Sequence, residues 1–469
     1  MTPGTLSALR SLRLVEASSL FALACSSPSS AVTDASTDVT TIDGSQPSDA
    51  SLDGDASETS SDGGFSGWVH PGVLVNLAGL DFVKAQLAAN GEPWTSTLAR
   101  TTTEEGNGQA FGSVTYTAHP VATIDCTADA NGCSSLLYDG IAAYTSALTY
   151  YYSTASTRAD YAQTAIAIMN AWSSTAKQYN GSQAQLESAW ASEMFPRAAE
   201  IIRYTYTPGP SDAKLDVTAF SSMLMNVFKP QLIAGAPTAN GNWELSMADG
   251  LIDIGVFTED VPTFQAGIAM WKARTPAYVY LTTDNGGNGR PYPPPGGQFP
   301  TNTSVDCFWL ASGSPVTSCT IPAGFTYQNG MVQETCRDMT HVMLGMSSLV
   351  NAAETARIQG IDLYGLEKAR IVAAYVFTSS FDSGYLTTNK WPMQPCGGQP
   401  SAYSPDDAGD DGVGVGYMLG WEIAYNEYAT RLGLDAGETF SFITTYVRPS
   451  TYKAANQIAW ESLTSVGTP

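Results

Sequence analysis

The stretch His341-Val-Met-Leu-Gly-Met-Ser-Ser-Leu-Val-Asn-Ala-Ala-Glu354 decides the fold class, because its apolar residues recur three and four positions apart, as on one face of a helix. The same spacing begins near residues 139, 159, 196, 213, 243, 261, 363 and 417. Strand-like alternation is confined to segments 111–117 and 277–281. The sequence therefore predicts a mainly α protein of antiparallel helix pairs, either a closed toroid or a superhelical array. No strict repeat of about 30 to 50 residues is visible, which favours the toroid.

Residues that start and stop helices accompany these runs. Asp212 and Asp260 precede two of them, Pro196 suits a first helical position, and Gly360 and Gly433 follow the ends of others. The helix-free segment 282–330 is rich in Gly, Pro and Asn. Because it is too long for a simple connector, we predict an insertion that shapes a binding site.

The residues just before the opening stretch combine an acid, a guanidinium and an imidazole within two helical turns: Glu334, Arg337, Asp338 and His341. The chain's other two histidines stand beside prolines in poorly patterned sequence, so His341 is the predicted catalytic imidazole. Arg337 and His341 stand four apart, which places them on one helix face with Cβ atoms about 6 Å apart. One could hold a carboxylate while the other handles a proton. Alternatively, Arg337 pairs with Glu334 or Asp338, and His341 lies at the edge of the core.

A second candidate group opens another predicted helix. Asn242, Trp243 and Glu244 place an amide, an indole and a carboxyl side by side, which suits hydrogen bonding to a sugar carboxylate or hydroxyl. An asparagine at this position could equally serve as an ordinary helix N-cap. Two further polar-aromatic patches are predicted to contact sugar, or else to pack in the core: Trp190 with Arg197, and Tyr425 with Asn426.

The N-terminal region differs in composition from the rest of the chain. Residues 1–25 are similar to a lipoprotein export signal that ends at Cys25, and the Ser/Asp/Thr-rich residues 26–66 are predicted to be a disordered tether. Residues 67–469 form the predicted folded domain. The net charge of −23, with 21 basic residues, argues against nucleic-acid binding. No run of 18 apolar residues occurs, so a lipid on Cys25 is the expected link to a membrane.

Six cysteines remain after Cys25 is set aside, an even number that suits an exported protein. The favoured pairs are Cys126 with Cys133, Cys307 with Cys319, and Cys336 with Cys396; six reduced thiols are the alternative. No Cys-x-x-Cys spacing or histidine pair suggests zinc, and we expect neither a metal nor a cofactor.

The sequence resembles the alginate lyase superfamily of bacterial polysaccharide lyases over about residues 68 to 465. The resemblance is carried by 333–341, 353–364, 242–244, 196–203 and 421–426. It implies an (α/α) toroid, an incomplete barrel of antiparallel helix pairs with a disulfide-bearing loop insertion. The polysaccharide is expected in a groove across the helix ends.

The resemblance also implies cleavage of a polyuronate, such as alginate or glucuronan, by β-elimination. Asn242, Glu244 and Arg337 are expected to neutralise the uronate carboxylate, and His341 or a tyrosine to take the C5 proton. Related lyases often carry a catalytic tyrosine soon after the arginine, where this chain has Val342, Met343 and Leu344. The remaining expected catalytic and sugar-binding residues are Tyr425, Trp190, Arg197, Trp243, Tyr327, Glu334 and Asn426.

Two other functions fit the same residues. An inverting glycoside hydrolase would need carboxyls about 6.5 to 9.5 Å apart, which Glu244 with Glu334 or Asp338 could supply. A non-catalytic surface glycan-binding protein would use the same groove without turnover. In each case we expect an exported monomer, periplasmic, attached to the cell surface or secreted.

Overall fold

Helices dominate the computed structural model, which describes residues 65, 67–127, 131–296, 299–310, 318–336, 339–388, 420–434, 443–444, 448 and 460–469. Only the backbone is described at 339–340 and 381–388. All of these residues belong to the unit Gly54–Pro469. The predicted export signal, the predicted tether apart from Phe65, and Arg337, Asp338 and Cys396 lie outside the described residues.

In chain order the helices are α1 (Leu77–Ala88), α2 (Trp94–Arg100), α3 (Cys133–Tyr152), α4 (Arg158–Thr175), α5 (Ala184–Thr205), α6 (Val217–Met223), α7 (Lys229–Leu232), α8 (Gly241–Thr258), α9 (Val261–Tyr278), α10 (Asn302–Leu310), α11 (Met339–Ile358), α12 (Leu363–Leu366), α13 (Lys368–Thr388), α14 (Trp421–Tyr425) and α15 (Glu461–Thr464). Short π-helical turns, Leu224–Phe228 and Asn426–Arg431, extend α6 and α14. The strands β1 (Glu105–Gly106) and β2 (Gln109–Ala110) pair antiparallel, and β3 (Thr123–Asp125) and β4 (Gln178–Asn180) pair parallel.

Helices α3, α5, α8 and α11 form the inner layer of the ring. They pack side by side in this order, while α4 packs on α3 and α9 packs on α8. Nearly every residue of α3, α5 and α8 is buried, as expected for a helix surrounded by protein on all sides. The fold is therefore the predicted mainly α toroid of helix pairs.

Glycines allow α8 and α9 to approach closely. A Cβ added at Gly267 of α9 would lie 2.7 Å from the carbonyl oxygen of Ala248, and one added at Gly255 of α8 would lie 2.5 Å from the backbone nitrogen of Phe264. Both distances are shorter than real Cβ contacts, so a larger residue would push the two helices apart.

Polar side chains line the axis of the ring in layers. One layer consists of Trp190, Ser246 and Ser348. A second layer lies seven residues further along each helix and consists of Arg197, Asp253 and Thr355. In the first layer the indole nitrogen donates to Ser246 Oγ at 3.2 Å, and the two serine hydroxyls lie 2.9 Å apart. The same seven-residue step in α5, α8 and α11 shows that these helices run parallel, so their N-termini lie at one end of the ring.

The segment before α1 crosses the other end of the ring, where these helices finish. The side-chain oxygen of Gln359, just after α11, accepts the Val69 N–H, and its side-chain nitrogen donates to the Val69 carbonyl. Glu200 of α5 accepts the Gly72 N–H at 2.9 Å and lies 2.8 Å from His70 Nδ1. The start of the folded chain is thus fastened to the end of the ring opposite the N-termini of α5, α8 and α11.

Several local predictions are confirmed and others are wrong. Asp260 is the N-cap of α9, and Gly360 follows α11 with φ +85°. Pro196, predicted to begin a helix, lies inside α5, because burial of the whole helix outweighs the loss of one N–H. The helix predicted from residue 213 begins at Val217, capped by Asp216. The segments 111–117 and 277–281 are not strands, and the second contains the end of α9. The segment 282–330, predicted to be helix-free, contains α10.

Two predicted disulfides are present, Cys126–Cys133 and Cys307–Cys319. Cys336 is also disulfide-bonded, but Cys396 lies outside the described residues, so their pairing stays a prediction. Of the helices that the structure describes, none combines the length and apolar character needed to cross a bilayer.

Candidate active site at the N-terminal end of α8

Two segments that are distant in sequence meet at the start of α8. Gln333 Oε1 accepts the Gly241 N–H at 2.8 Å, and its amide nitrogen donates to Asn240 Oδ1 at 3.2 Å. Next to it, Glu334 accepts from Asn242 twice, from the side-chain Nδ2 at 3.1 Å and from the backbone N–H at 3.3 Å. The sequence segment that leads to Arg337 and His341 is therefore anchored to the helix that carries Asn242.

The Asn242 side chain is fully buried in this arrangement. Its Nδ2 is bonded to Glu334, while its Oδ1 has no hydrogen-bond partner among the described residues. A buried amide oxygen without a partner costs about 1 to 3 kcal/mol, so this atom is a natural position for a donor from another molecule or from water. Asn240, rather than Asn242, is the N-cap residue of α8.

Glu244, predicted to help neutralise a substrate carboxylate, forms a buried ion pair with Arg274 of α9, with Oε2 3.0 Å from Nη1. Its other oxygen accepts the Ala236 N–H at 3.0 Å. Burial lowers the pKa of Arg274, and the neighbouring charges of Glu244 and Glu334 partly offset this. Both oxygens of Glu244 are thus used in holding α8 to α9 and to the preceding turn.

Arg274 was not predicted from the sequence. It is fully buried, donates through Nη2 to the carbonyl of Ala239 at 3.0 Å, and lies 5.6 Å from the centre of the Phe308 ring. The available signal was a cation one turn before the end of a helix that also carries apolar residues. Its partner Glu244 stands 30 residues away, a separation that no local pattern reveals.

His341 lies in the first turn of α11, close to this junction. It is partly exposed, whereas the next residues Val342, Met343 and Leu344 are buried in the core. Tyr278, at the end of α9, donates its hydroxyl to the Val342 carbonyl at 3.2 Å. The first turn of α11 therefore lies beside the segments that carry Asn242 and Glu334, whereas the position of Arg337 lies outside the described residues.

Trp190 and Arg197 lie deeper, in the axial layers. Arg197 Nη2 is 3.1 Å from Asp249 and 3.6 Å from Glu193, and its Nε is 3.5 Å from Asp253. All four residues are fully buried. Burial raises the pKa values of the three carboxyls, and the single guanidinium offsets this only in part. The predicted sugar contacts of Trp190 and Arg197 stay predictions.

Tyr327 lies in the disulfide-bearing insertion. Its hydroxyl donates to Asp306 Oδ1 at 2.8 Å, and Asp306 also pairs with Arg290. Burial, with the bond to Asp306 adding to it, raises the pKa of Tyr327. Phe308 of the same insertion accepts through its carbonyl from Gln333 at 3.0 Å, so the insertion abuts the start of α8.

Tyr425 and Asn426 contact the C-terminal part of the chain. Asn426 Nδ2 donates to both the carbonyl and the hydroxyl of Thr468 at 2.9 Å, and the guanidinium of Arg448 lies 5.1 Å from the centre of the Tyr425 ring. The described contacts therefore bring together Asn242, Trp243, Glu244, Glu334 and the start of α11, but place Asn426 against the chain terminus.

Comparison with solved structures bears on the fold. Two variants of alginate lyase A1-III, each complexed with a tetrasaccharide, match 84% of this chain, with TM-scores of 0.51 and 0.50. The matches cover 94% and 95% of those chains, at 14% and 15% identity. The chain has the alginate lyase fold. The predicted resemblance to the alginate lyase superfamily is confirmed at the level of fold.

A further structure, alginate lyase A1-III from Sphingomonas species A1, matches with TM-score 0.47 at 14% identity over 84% of this chain and 95% of that one. No protein-family profile matches the sequence, and no curated protein matches it significantly. Within the described residues, no three His, Cys, Asp or Glu side chains are grouped in a way that could hold a metal ion.

Proposed function

We propose that the chain is a polysaccharide lyase that cleaves a polyuronate by β-elimination at the N-terminal end of α8. The observation that carries the proposal is the contact between Asn242 and Glu334, 92 residues apart, within an alginate lyase fold. This contact joins the predicted amide group to the segment that leads to Arg337 and His341, as the proposed mechanism requires.

The chemistry explains why such groups are needed together. The C5 proton of a uronate is adjacent to a carboxylate, and removing it leaves a dianion unless the carboxylate charge is neutralised. We assign this role to the Arg337 guanidinium, with the second Nδ2 hydrogen of Asn242 as a neutral donor, and the role of base to His341. Glu244 is ion-paired with Arg274, so we assign both to holding α8 and α9 in register rather than to the carboxylate itself.

The test is to incubate the full chain with a panel of polyuronates and to follow the ultraviolet absorbance of the unsaturated uronate that elimination creates. We expect absorbance to rise with at least one polymer, and Arg337→Ala, His341→Ala and Asn242→Ala to reduce the rate by about 100-fold or more. His119→Ala is the matched control, because His119 contacts Asp139 in α3, away from α8, and should keep full activity.

The outcomes separate the candidate functions. New reducing ends without new absorbance would indicate the glycoside hydrolase, and binding without any product would indicate the glycan-binding protein. The bonds of both Glu244 oxygens, to Arg274 and to the Ala236 N–H, favour the lyase over the hydrolase, because they leave this carboxyl without a free oxygen to act as catalytic acid or base. No product and no binding with any polymer would refute the proposal.

We also propose that the protein is exported, with a lipid on Cys25. The disulfides Cys126–Cys133 and Cys307–Cys319 support this, since such bonds persist in oxidising compartments. Metabolic labelling with a fatty acid should mark the wild-type chain and leave Cys25→Ala unmarked.

A further inference from the structure

Tyr278 occupies the junction of the three segments that form the candidate site. It is the last residue of α9 and is fully buried. A Cβ added at Gly241, the first residue of α8, would lie 2.0 Å from the Tyr278 ring atom Cδ2. A Cβ added at Gly345 of α11 would lie 2.1 Å from the Tyr278 hydroxyl. The ring therefore fills space that exists only because both neighbours are glycines.

Hydrogen bonds also connect Tyr278 to α11 and to the segment that contains Gln333. The Tyr278 hydroxyl donates to the carbonyl of Val342, in the first turn of α11, at 3.2 Å. Its backbone carbonyl accepts the N–H of Gln333 at 2.8 Å, and the Gln333 side chain in turn accepts the N–H of Gly241. Tyr278 thus contacts the residue before Asn242, the residue before Glu334 and the residue after His341.

We propose that Tyr278 is a positioning residue, which sets the distance between Asn242 at the start of α8 and His341 at the start of α11. The inference rests on the proposed function, since it assigns the spacing of the groups that act there. It concerns the hydroxyl in particular: a phenyl ring would keep the packing against Gly241 but would release the Val342 carbonyl.

The chain offers a matched control for this hydroxyl. Tyr364 is also fully buried, and its hydroxyl donates to the carbonyl of Val350 at 3.1 Å, again on α11 but two turns further from the site. Tyr364→Phe therefore removes an equivalent hydrogen bond from the same helix. Any effect on stability should be shared by Tyr278→Phe and Tyr364→Phe, whereas an effect on the site should be confined to the first.

The experiment compares the full chain with both variants in the absorbance assay, on the polyuronate that the wild type cleaves. For Tyr278→Phe we expect kcat to fall about 10- to 100-fold with KM changed less than about threefold, because misplacing reacting groups by about 1 Å costs on this order. Tyr364→Phe should keep both constants within about twofold of wild type.

A second measurement does not depend on activity. The chain has three histidines, so selective ¹⁵N labelling of histidine gives three ring spin systems, and His341→Ala assigns one of them. We expect Tyr278→Phe to shift the ring ¹⁵N resonances of His341 at a fixed pH, and Tyr364→Phe to leave them unchanged. If Tyr278→Phe does not fold, Gly345→Ala serves instead, since its Cβ displaces the same hydroxyl.

Equal kinetics and equal His341 ring resonances for Tyr278→Phe and Tyr364→Phe would overturn the inference while leaving a lyase in place. A wild type that cleaves no polyuronate would instead refute the proposed function. In that case the His341 ring resonances still decide whether Tyr278 positions the start of α11.

Discussion

Replacing Glu193 by Gln should make the protein more stable at neutral pH, although it removes a partner of Arg197. Glu193, Asp249 and Asp253 surround one guanidinium and are fully buried, so the axis of the ring holds three acidic groups for one cation. No N–H or hydroxyl donor among the described residues is bonded to the carboxyl oxygens of Glu193, which shares a hydrogen bond with the carboxyl of Asp249 instead. Burial, and secondarily the charge of Asp249, raise the pKa of Glu193 well above its ordinary value.

The pH dependence of this stability difference follows from proton linkage. Glu193 keeps its proton in the folded state at pH values where it is ionised in the unfolded chain, so its contribution to stability falls as pH rises above about 4.5. An ionised carboxylate that is buried without a compensating donor costs about 1 to 3 kcal/mol, and glutamine, which has nearly the same shape, carries no such charge. Glu193→Gln should therefore be more stable than wild type by about 1 to 3 kcal/mol at pH 7, and by progressively less as pH falls toward 4.

The assay is urea unfolding followed by tryptophan fluorescence at several pH values between 4 and 8. Glu354→Gln is the contrasting control, because Glu354 pairs with Arg431 and Arg357 at 2.9 Å. Burial tends to raise the pKa of Glu354, but Arg431 outweighs it and lowers the pKa. Glu354→Gln should thus lose stability at pH 7, and the loss should stay nearly constant until pH falls below about 4.5, where it begins to shrink. A Glu193→Gln variant that is no more stable than wild type at pH 7 would refute the reasoning.

Three further substitutions test the packing of the ring. Asp139→Leu should cost at least about 3 kcal/mol in urea unfolding, because it leaves the Trp172 indole N–H, bonded at 2.7 Å, and other donors without an acceptor. Gly267→Ala should cost about 1 to 3 kcal/mol and lower the unfolding temperature, since its Cβ overlaps the backbone of α8. Replacing Cys126 and Cys133 together by Ser should cost about 2 kcal/mol in the same urea experiment, because the bond closes a short loop in the unfolded chain.

Many of the helices could be predicted because their apolar residues recur three and four positions apart. The run from His341 to Glu354 lies wholly within α11, and Asp260 predicts the start of α9. Pro196 misled the prediction of α5, since local propensity cannot report that a helix is buried on all sides. The segment 277–281 alternates like a strand, yet its first two residues finish α9, where the ring packing holds Tyr278 against Gly241.

The candidate site could be predicted only in part. Asn242, Glu334 and His341 were identifiable because each carries an unusual polar group at a predicted helix start, and the structure places their segments together. Arg274 could not be found, because its role depends on Glu244 across two helices. Glu244 itself shows the limit of reading side chains singly: the carboxyl that suits a sugar site is the same carboxyl that suits a buried ion pair.

The polar residues on the axis and those at the mouth of the ring should act independently. Asn242 and Asp249 are seven residues apart on α8, which corresponds to about 10 Å along the axis. When two substitutions are separated by this distance and share no partner, their effects on the free energy of unfolding usually add to within about half a kcal/mol. The double variant Glu193→Gln with Tyr278→Phe should therefore combine the stability gain of the first with the stability change and the loss of kcat of the second. A non-additive unfolding free energy would mean that the axial carboxyls and the start of α11 belong to one coupled network, in which protonation of the axis would also shift the spacing of the site.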